Sequence, residues 1–228
     1  MHKKKFNPIN LFFINKCALC RKPAEDALCP SCIKSVVPLG FGCCEKCGKP
    51  FKNCVCKNIK ANFKSCISAF RYEQPAVSAL IYKLKSKGNR KVAQFLSDAM
   101  IKRIDEEYRN INFDFITFVP TSKSKLKRKG FDHAELLAAK LARHLNTPCI
   151  PPPFKRAASK AQKYLSKTSR QQNAASAFCL KHKTVSGRVL IVDDVMTTGS
   201  TLSACTELLK KAGADEVYCI TAATSAGR

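Results

Sequence analysis

Arg188-Val-Leu-Ile-Val-Asp-Asp-Val-Met-Thr-Thr-Gly-Ser-Thr201 is the stretch on which the reading of this chain turns. Val189 to Val192 is an unbroken aliphatic run, as expected of a strand buried on both faces of a parallel sheet. Asp193 and Asp194 then fall at its carboxyl end, where open α/β sheets bind their ligands. Thr197-Thr198-Gly199-Ser200-Thr201 follows, and Thr201 to Lys211 reads as an amphipathic helix closed by Ala212-Gly213. A turn of small residues opening a helix aims backbone N–H groups and the positive dipole end at one point, which makes a phosphate cradle. Two carboxylates beside that cradle can accept hydrogen bonds from adjacent sugar hydroxyls or hold Mg²⁺.

The stretch resembles the phosphoribosyl-pyrophosphate (PRPP) signature of the type I phosphoribosyltransferases, in which a hydrophobic strand, an acidic pair and a Thr-Thr-Gly turn grip ribose-5-phosphate. The resemblance implies that Asp193 and Asp194 contact the ribose hydroxyls while Thr197, Thr198, Gly199, Ser200 and Thr201 wrap the 5′-phosphate. It is neither a Walker A loop, which needs Gly-Lys-Ser/Thr, nor the Gly-x-Gly-x-x-Gly dinucleotide fingerprint. An ordinary helix cap needs one acid, not the whole pattern.

The 228 residues give room for one medium domain plus a small appendage, and a hydrophobic content of 45% suffices for a sizeable core. A net charge of +25 is more one-sided than solubility requires. It favours polyanionic partners: nucleic acid, anionic lipid or highly phosphorylated small molecules. No segment is long or apolar enough to span a bilayer. The start, Met1 to Ile14, superficially resembles an export signal, but its apolar part is short, is broken by Asn10, and has no small-x-small site before Cys17. A small anchoring turn or a helix packed on the body is expected there, and a cytoplasmic location for the chain. In a reducing compartment the 14 cysteines read as metal ligands or buried thiols, not disulfides.

Eight of them form a block: Cys17-x-x-Cys20, Cys29-x-x-Cys32, Cys44-x-x-Cys47 and Cys54-x-Cys56. Closely spaced pairs turn both thiolates toward one ion, and two pairs complete a tetrahedral Zn²⁺ shell. Gly40, Gly42, Gly48 and Pro50 sit where tight knuckles need them. Eight ligands suit two four-cysteine sites, paired in sequence or interleaved, or a single occupied site. A four-cysteine site is closed to water, so its role is structural. Cys43 is left out of the ligand set, and Cys66, Cys149, Cys179, Cys205 and Cys219 read as small buried hydrophobes.

Downstream, strands alternate with helices: Ile67–Tyr72, then helices over Pro75–Lys85 and about Val92–Tyr108, a strand at Phe115–Pro120, a helix over His133–Leu145 capped by Asp132, and a last strand at Glu216–Ala222. Lys85 to Gly88 and Arg128 to Phe131 read as basic turns, Thr147 to Pro153 as an extended exit, and Ala157 to Ala177 as a mobile loop. The expected fold is α/β: a type I phosphoribosyltransferase-like, mainly parallel sheet flanked by helices over 61–228, preceded by a Cys-rich zinc-binding module over 1–60.

Taken together, the Cys pairs, Leu84-Lys85-Ser-Lys-Gly88, Val119-Pro120, Arg128-Lys129-Gly130-Phe131 and Gln162…Arg170-x-x-Asn173 before the signature resemble the ComF family of bacterial competence proteins, from Cys17 to about Thr224. The resemblance implies that Lys85, Arg128 and Lys129 approach the pyrophosphate side of the ligand, and that Gln162, Arg170 and Asn173 belong to a loop closing over it. That family usually reads Arg-Gly-Phe-Asn-Gln where this chain has Lys129-Gly-Phe-Asp132-His133. Lys loses the bidentate fork of Arg, and Asp132 would repel a phosphate unless it caps the helix or holds Mg²⁺. His133 at a helix start reads first as a surface polar residue and second as an acid–base group.

Two classes of function follow. In the first, which the resemblance favours, the chain serves DNA uptake in natural transformation: it binds single-stranded DNA along its basic surface, and its zinc module docks a competence helicase or another uptake protein. A PRPP site is retained beneath that role. In the second, it is a Mg²⁺-dependent phosphoribosyltransferase in which a base or amine displaces pyrophosphate at the anomeric carbon. No acceptor pocket is recognisable in the sequence, so turnover stays open.

Overall fold

The computed structural model describes residues 15–40, 42–44, 46–54, 56, 62–156, 178–181 and 184–225. Within these, strands β1 (Ser65–Arg71), β2 (Phe115–Phe118), β5 (Arg188–Met196) and β6 (Glu216–Thr224) form one sheet ordered β1-β6-β5-β2. Every neighbouring pair is parallel. The aliphatic run explains why β5 lies inside: Val189 and Ile191 enter one core while Leu190 and Val192 enter the other. A strand with period-two side chains and no polar residue in this run must be covered on both faces.

Helices supply those covers. α2 (Pro75–Lys87) and α3 (Arg90–Glu107) connect β1 to β2, and α5 (His133–Leu145) follows a short basic helix, α4 (Lys123–Lys129). α3 and α5 pack on one face, where Leu80, Leu96, Leu137 and Leu141 meet Leu190, Val192 and Ile220. α6 (Ser200–Lys211) covers the other, with Leu202 and Leu209 against Val189, Ile191 and Val217. Beside α6, β3 (Phe154–Arg156) and β4 (Phe178–Leu180) form a small antiparallel pair. Local chemistry sets the helix limits. Asn89 accepts hydrogen bonds from the N–H groups of Lys91 and Val92, and Asp132 from that of Ala134. Gly88 ends α2 in the left-handed region, at φ 55°.

Both sheet edges are covered, as unpaired edges must be to avoid association. The Cys-rich segment lies along β1: Leu39 N–H donates to the Ala69 carbonyl, Pro38 bridges Phe70, and Cys66 N–H donates to the Lys46 carbonyl. The exit after α5 lies along β2, with Ile116 N–H donating to Pro148 and Ile150 N–H to Ile116. A short helix, α1 (Pro30–Ile33), and a 3-10 turn at Phe51–Asn53 are the regular elements described in the Cys-rich segment. Its Ala18, Leu28 and Val36 join the α2–α3 core.

The structure departs from the sequence reading in three places. The basic turns expected at Lys85–Gly88 and Arg128–Phe131 are helix ends: α2 runs on to Lys87, and Lys123 to Lys129 is a helix capped by Ser122 and closed by Gly130 at φ 76°. Its Lys, Arg and Leu residues are good helix formers, but they carry no buried face, so no periodicity announces them. Cys66, Cys205 and Cys219 are buried as expected, whereas Cys149 and Cys179 are only half-buried because they lie on the covering exit and on β4. Strands β3 and β4 were not anticipated, being three residues each. The readings of Met1–Ile14 and of Ala157–Ala177 lie outside the described residues.

A Cβ on Gly88 would stand 3.0 Å from the Phe131 ring, besides occupying a left-handed backbone. Gly88→Ala should therefore lower stability by about 1–3 kcal/mol, read from the urea midpoint.

Candidate functional site

The carboxyl ends of β2 and β5, the start of α5 and the end of α2 enclose a cavity of about 250 Å³. Asp193 and Asp194 line it from β5 and Thr201 from the start of α6, with Lys85 from α2, Lys125 and Lys129 from α4, His133 from α5, and Arg156 from β3. Parallel strands expose their carboxyl ends together, so residues remote in sequence meet there.

Asp193 and Asp194 are both buried, at 9% and 4% exposure. Asp193 Oδ1 accepts a hydrogen bond from the Asp194 N–H at 2.8 Å. Burial and then the neighbouring Asp194 charge push its carboxyl up to about 7. Asp194 goes the other way. Burial would raise it, but His133 and Lys85 outweigh burial and hold it below the usual carboxylate range. Its Oδ2 lies 3.0 Å from both Lys85 Nζ and His133 Nε2. By angle these are charge contacts, because this buried oxygen has no aligned hydrogen-bond donor. An acidic pair split in this way offers one acceptor and one potential donor, which suits a vicinal diol.

The turn after β5 has the expected form. Gly199 is left-handed at φ 81° and precedes the first residue of α6, which places Ser200 and Thr201 at the helix start. Thr198 Oγ1 and Ser200 Oγ are 2.9 Å apart. Thr197 and Thr198 are exposed and available to an anion.

Lys85 and Lys129 meet at the cavity, where Lys129 Nζ donates to the Lys85 carbonyl. Arg128 lies on the exposed side of α4 and does not line the cavity. Lys125, one helical turn before Lys129, lines it instead; that spacing was legible once a helix was assumed. Nothing in the sequence pointed to Arg156, which arrives through the β3–β4 pairing. Gln162, Arg170 and Asn173 lie outside the described residues. Asp132 faces away from this chemistry: its Oδ1 accepts from Ala134 N–H and its Oδ2 from Thr121 N–H at 2.7 Å. The carboxylate caps α5 and pins the exit of β2, so the expected repulsion of phosphate does not arise from it.

The cysteines form two sets, Cys17/Cys20/Cys29/Cys32 and Cys44/Cys47/Cys54/Cys56, with the sulfurs of each set within 4.8 Å of one another. The pairs are thus used in sequence, not interleaved. Tetrahedral Zn–S bonds of about 2.3 Å place sulfurs about 3.8 Å apart. Cys20–Cys29, Cys44–Cys56 and Cys47–Cys54 stand at 3.6, 3.7 and 3.8 Å. The Ser31 hydroxyl, with the Cys32 N–H, pulls the Cys29 thiol down to about 6. Burial opposes a similar pull on Cys44, but backbone N–H groups win and bring it to about 7. Both sets fit a structural zinc ion. Cys43 belongs to neither.

A family model described as the phosphoribosyl transferase domain matches residues 126–228. Competence protein F of Haemophilus influenzae is 29% identical over 221 residues, 90% of this chain and 95% of that protein. Along about nine-tenths of its length the chain is therefore similar to the ComF-type competence proteins. A second relative, DNA utilization protein YhgH of Escherichia coli K12, is 28% identical over 218 residues, covering 90% of this chain and 95% of that one. Among solved structures, a purine phosphoribosyltransferase from Pyrococcus horikoshii is 24% identical, covers 57% of this chain and 73% of its own, and superposes with a TM-score of 0.38, too loose a likeness to build on. The chain has a type I phosphoribosyltransferase-like fold carrying two four-cysteine clusters that could hold structural zinc. Among the described residues, no helix is long and apolar enough to cross a membrane.

Two outcomes are expected. Elemental analysis should find one zinc ion per cluster, falling by one in Cys20→Ser/Cys32→Ser and by one in Cys44→Ser/Cys56→Ser. For Asp193 the folded carboxyl titrates above the unfolded one, so the native state binds the extra proton and stability falls as pH rises toward about 7. Asp193→Asn keeps the acceptor for Asp194 N–H and removes that slope. Its melting temperature should gain on the wild type between pH 5 and 8 and then stay level.

Proposed function

We propose that this chain serves DNA uptake in natural transformation, binding single-stranded DNA and partner proteins on a phosphoribosyltransferase fold that keeps a PRPP site. The observation that carries the reading is the cavity itself: an acidic pair and Thr201, at the end of the Thr-Gly-Ser-Thr turn, on one side, with Lys85, Lys125, Lys129 and Arg156 around them. Sugar diol and phosphate are the groups that such opposed acids and cations match. In this reading Asp193 and Asp194 orient the ribose, the Thr197–Thr201 turn holds the 5′-phosphate, and Lys85, Lys125, Lys129 and Arg156 face the pyrophosphate. Carboxylate oxygens of the acidic pair, with His133 close by, fit a Mg²⁺ arriving with the pyrophosphate, since that ion favours one or two carboxylates plus phosphates. When bound, it would neutralise charge on the leaving group.

The DNA side of the reading rests on the basic face of α4 and on the names of the relatives. Lys123, Lys127 and Arg128 are exposed beside the cavity without lining it, and α4 contains no acid. A cationic track of that kind follows a phosphate backbone without reading bases. Residues 1–60 form, in this view, a zinc-bearing module docked on the 61–228 body and available to a helicase or another uptake protein in the cytoplasm. A working phosphoribosyltransferase is the alternative, favoured by the burial of the intact acidic pair.

The two activities should separate. Asp193→Asn/Asp194→Asn should abolish binding of Mg²⁺–PRPP in calorimetry while sparing affinity for single-stranded DNA. Lys123→Gln/Lys127→Gln/Arg128→Gln should do the reverse and flatten the salt dependence of DNA binding by about 0.7 per lost contact. Pyrophosphate release with any nucleobase or amine would promote the transferase reading to first place. Loss of both activities in a folded acidic-pair variant would refute the separation.

A further inference from the structure

Among the described residues Lys49 is the largest of the fully buried side chains, at 0% exposure. It sits between Cys47 and Cys54 of the second cluster, and its carbonyl accepts the Cys44 N–H at 2.7 Å, so its backbone is part of the knuckle. The side chain leaves the knuckle inward and donates to the Ser225 carbonyl, just past the end of β6. From Ser225 the path to the phosphate turn is one residue long. Ser225 N–H donates to the Met196 carbonyl at 2.9 Å, Thr224 Oγ1 reaches the same carbonyl at 3.3 Å, and Met196 immediately precedes Thr197. The surroundings are shared as well: Cys47, Phe63, Met196 and Leu202 belong to one core, and the Cys66 thiol touches Met196 Sδ at 3.5 Å.

A buried ammonium needs both hydrogen-bond acceptors and compensating charge. Ser225 supplies an acceptor but no charge. The ionisable groups that face Lys49 are Cys47, Cys66 and Glu73, and Cys47 is a member of the cluster. Because the Lys49 carbonyl holds the Cys44 N–H, an ion that gathers Cys44 and Cys47 also fixes the backbone from which the Lys49 side chain leaves. Metal in the second cluster and a correctly seated Lys49 therefore favour one another. Lys49 in turn anchors the strand end that holds the turn.

We propose that Lys49 is a positioning residue that couples metal binding at the second cysteine cluster to the conformation of the Thr197–Thr201 turn. Coupling of this kind is reciprocal, so an anion held by the turn should also slow loss of zinc from Cys44, Cys47, Cys54 and Cys56. The ligand side of the inference rests on the phosphate-site reading above, whereas the coupling itself can be read without any ligand.

Hydrogen exchange of the full-length, zinc-loaded chain tests it, followed by mass spectrometry on peptides covering 196–203. Lys49→Met should speed exchange there by about fivefold or more while zinc content and exchange in α3 and α5 stay as in the wild type. Cys54→Ser/Cys56→Ser should speed the same peptides, and adding Lys49→Met to it should bring little further change, since one path cannot be cut twice. Cys17→Ser/Cys20→Ser, which empties the other cluster, should leave the turn unaffected. Wild-type exchange at the turn in zinc-loaded Lys49→Met would overturn the proposal, as would simple additivity of the two changes. If Lys49→Met does not fold, Lys49→Gln, which keeps a donor for Ser225 without the charge, decides by the same readouts. In parallel, Mg²⁺–PRPP should slow zinc transfer to a chromophoric chelator in the wild type but not in the variant. A wild type that fails to bind Mg²⁺–PRPP would sink the phosphate-site reading, while the exchange comparison would still decide the role of Lys49.

Discussion

Asp193 and Asp194 are buried side by side at the carboxyl end of β5, and much of the site can be understood as the means of keeping them there. Two adjacent carboxylates in a low dielectric cannot both ionise without nearby cations. Here one is pushed toward its neutral form by burial and by its neighbour, while Lys85 and His133 hold the other ionised. Those partners come from α2 and α5, so the placement of both helices is tied to the acids they serve. The Lys85 ammonium that helps make the pair tolerable also attracts a phosphorylated ligand, whose hydroxyls would then meet the acids.

The Cys-rich segment depends on a different constraint. It contains only one four-residue helix and a 3-10 turn among its described residues, too little regular structure to bury a core alone. Its order is instead consistent with two ligand clusters and with docking onto the edge strand β1. That docking is tight. A Cβ on Gly48 would stand 2.4 Å from the Cys66 carbonyl oxygen, and Gly48 adopts φ 65° besides, so the knuckle approaches β1 only because glycine is there. The same approach delivers Lys49 to the end of β6.

The departures from the ComF pattern take on physical meaning in this setting. Asp132 in place of an amide gives two acceptor oxygens, one for the α5 N-terminus and one for Thr121 N–H. His133 is not a surface residue but a partner of Asp194 at 3.0 Å. Lys129 in place of Arg reaches back to the Lys85 carbonyl, an interaction a point-like ammonium makes as well as a fork.

The aliphatic run Val189–Val192, the acid pair and the small-residue turn determined by themselves that a buried parallel strand would end in a tight turn opening a helix, because period, burial and helix-start chemistry are local properties. The Cys pairs likewise marked eight candidate ligands by spacing, without saying which pairs combine. Tertiary structure decided the rest. It sorted eight cysteines into sequential clusters, since which pairs converge depends on the path of the intervening chain. It brought Lys125 and Arg156 to the cavity and turned Arg128 away, because α4 has no apolar face from which its rotation could be read. It also buried Lys49, a residue whose charge would place it on the surface by any local rule, and whose acceptor, Ser225, lies 176 positions away. Contacts between residues so far apart are fixed by packing, and no sequence window contains both partners.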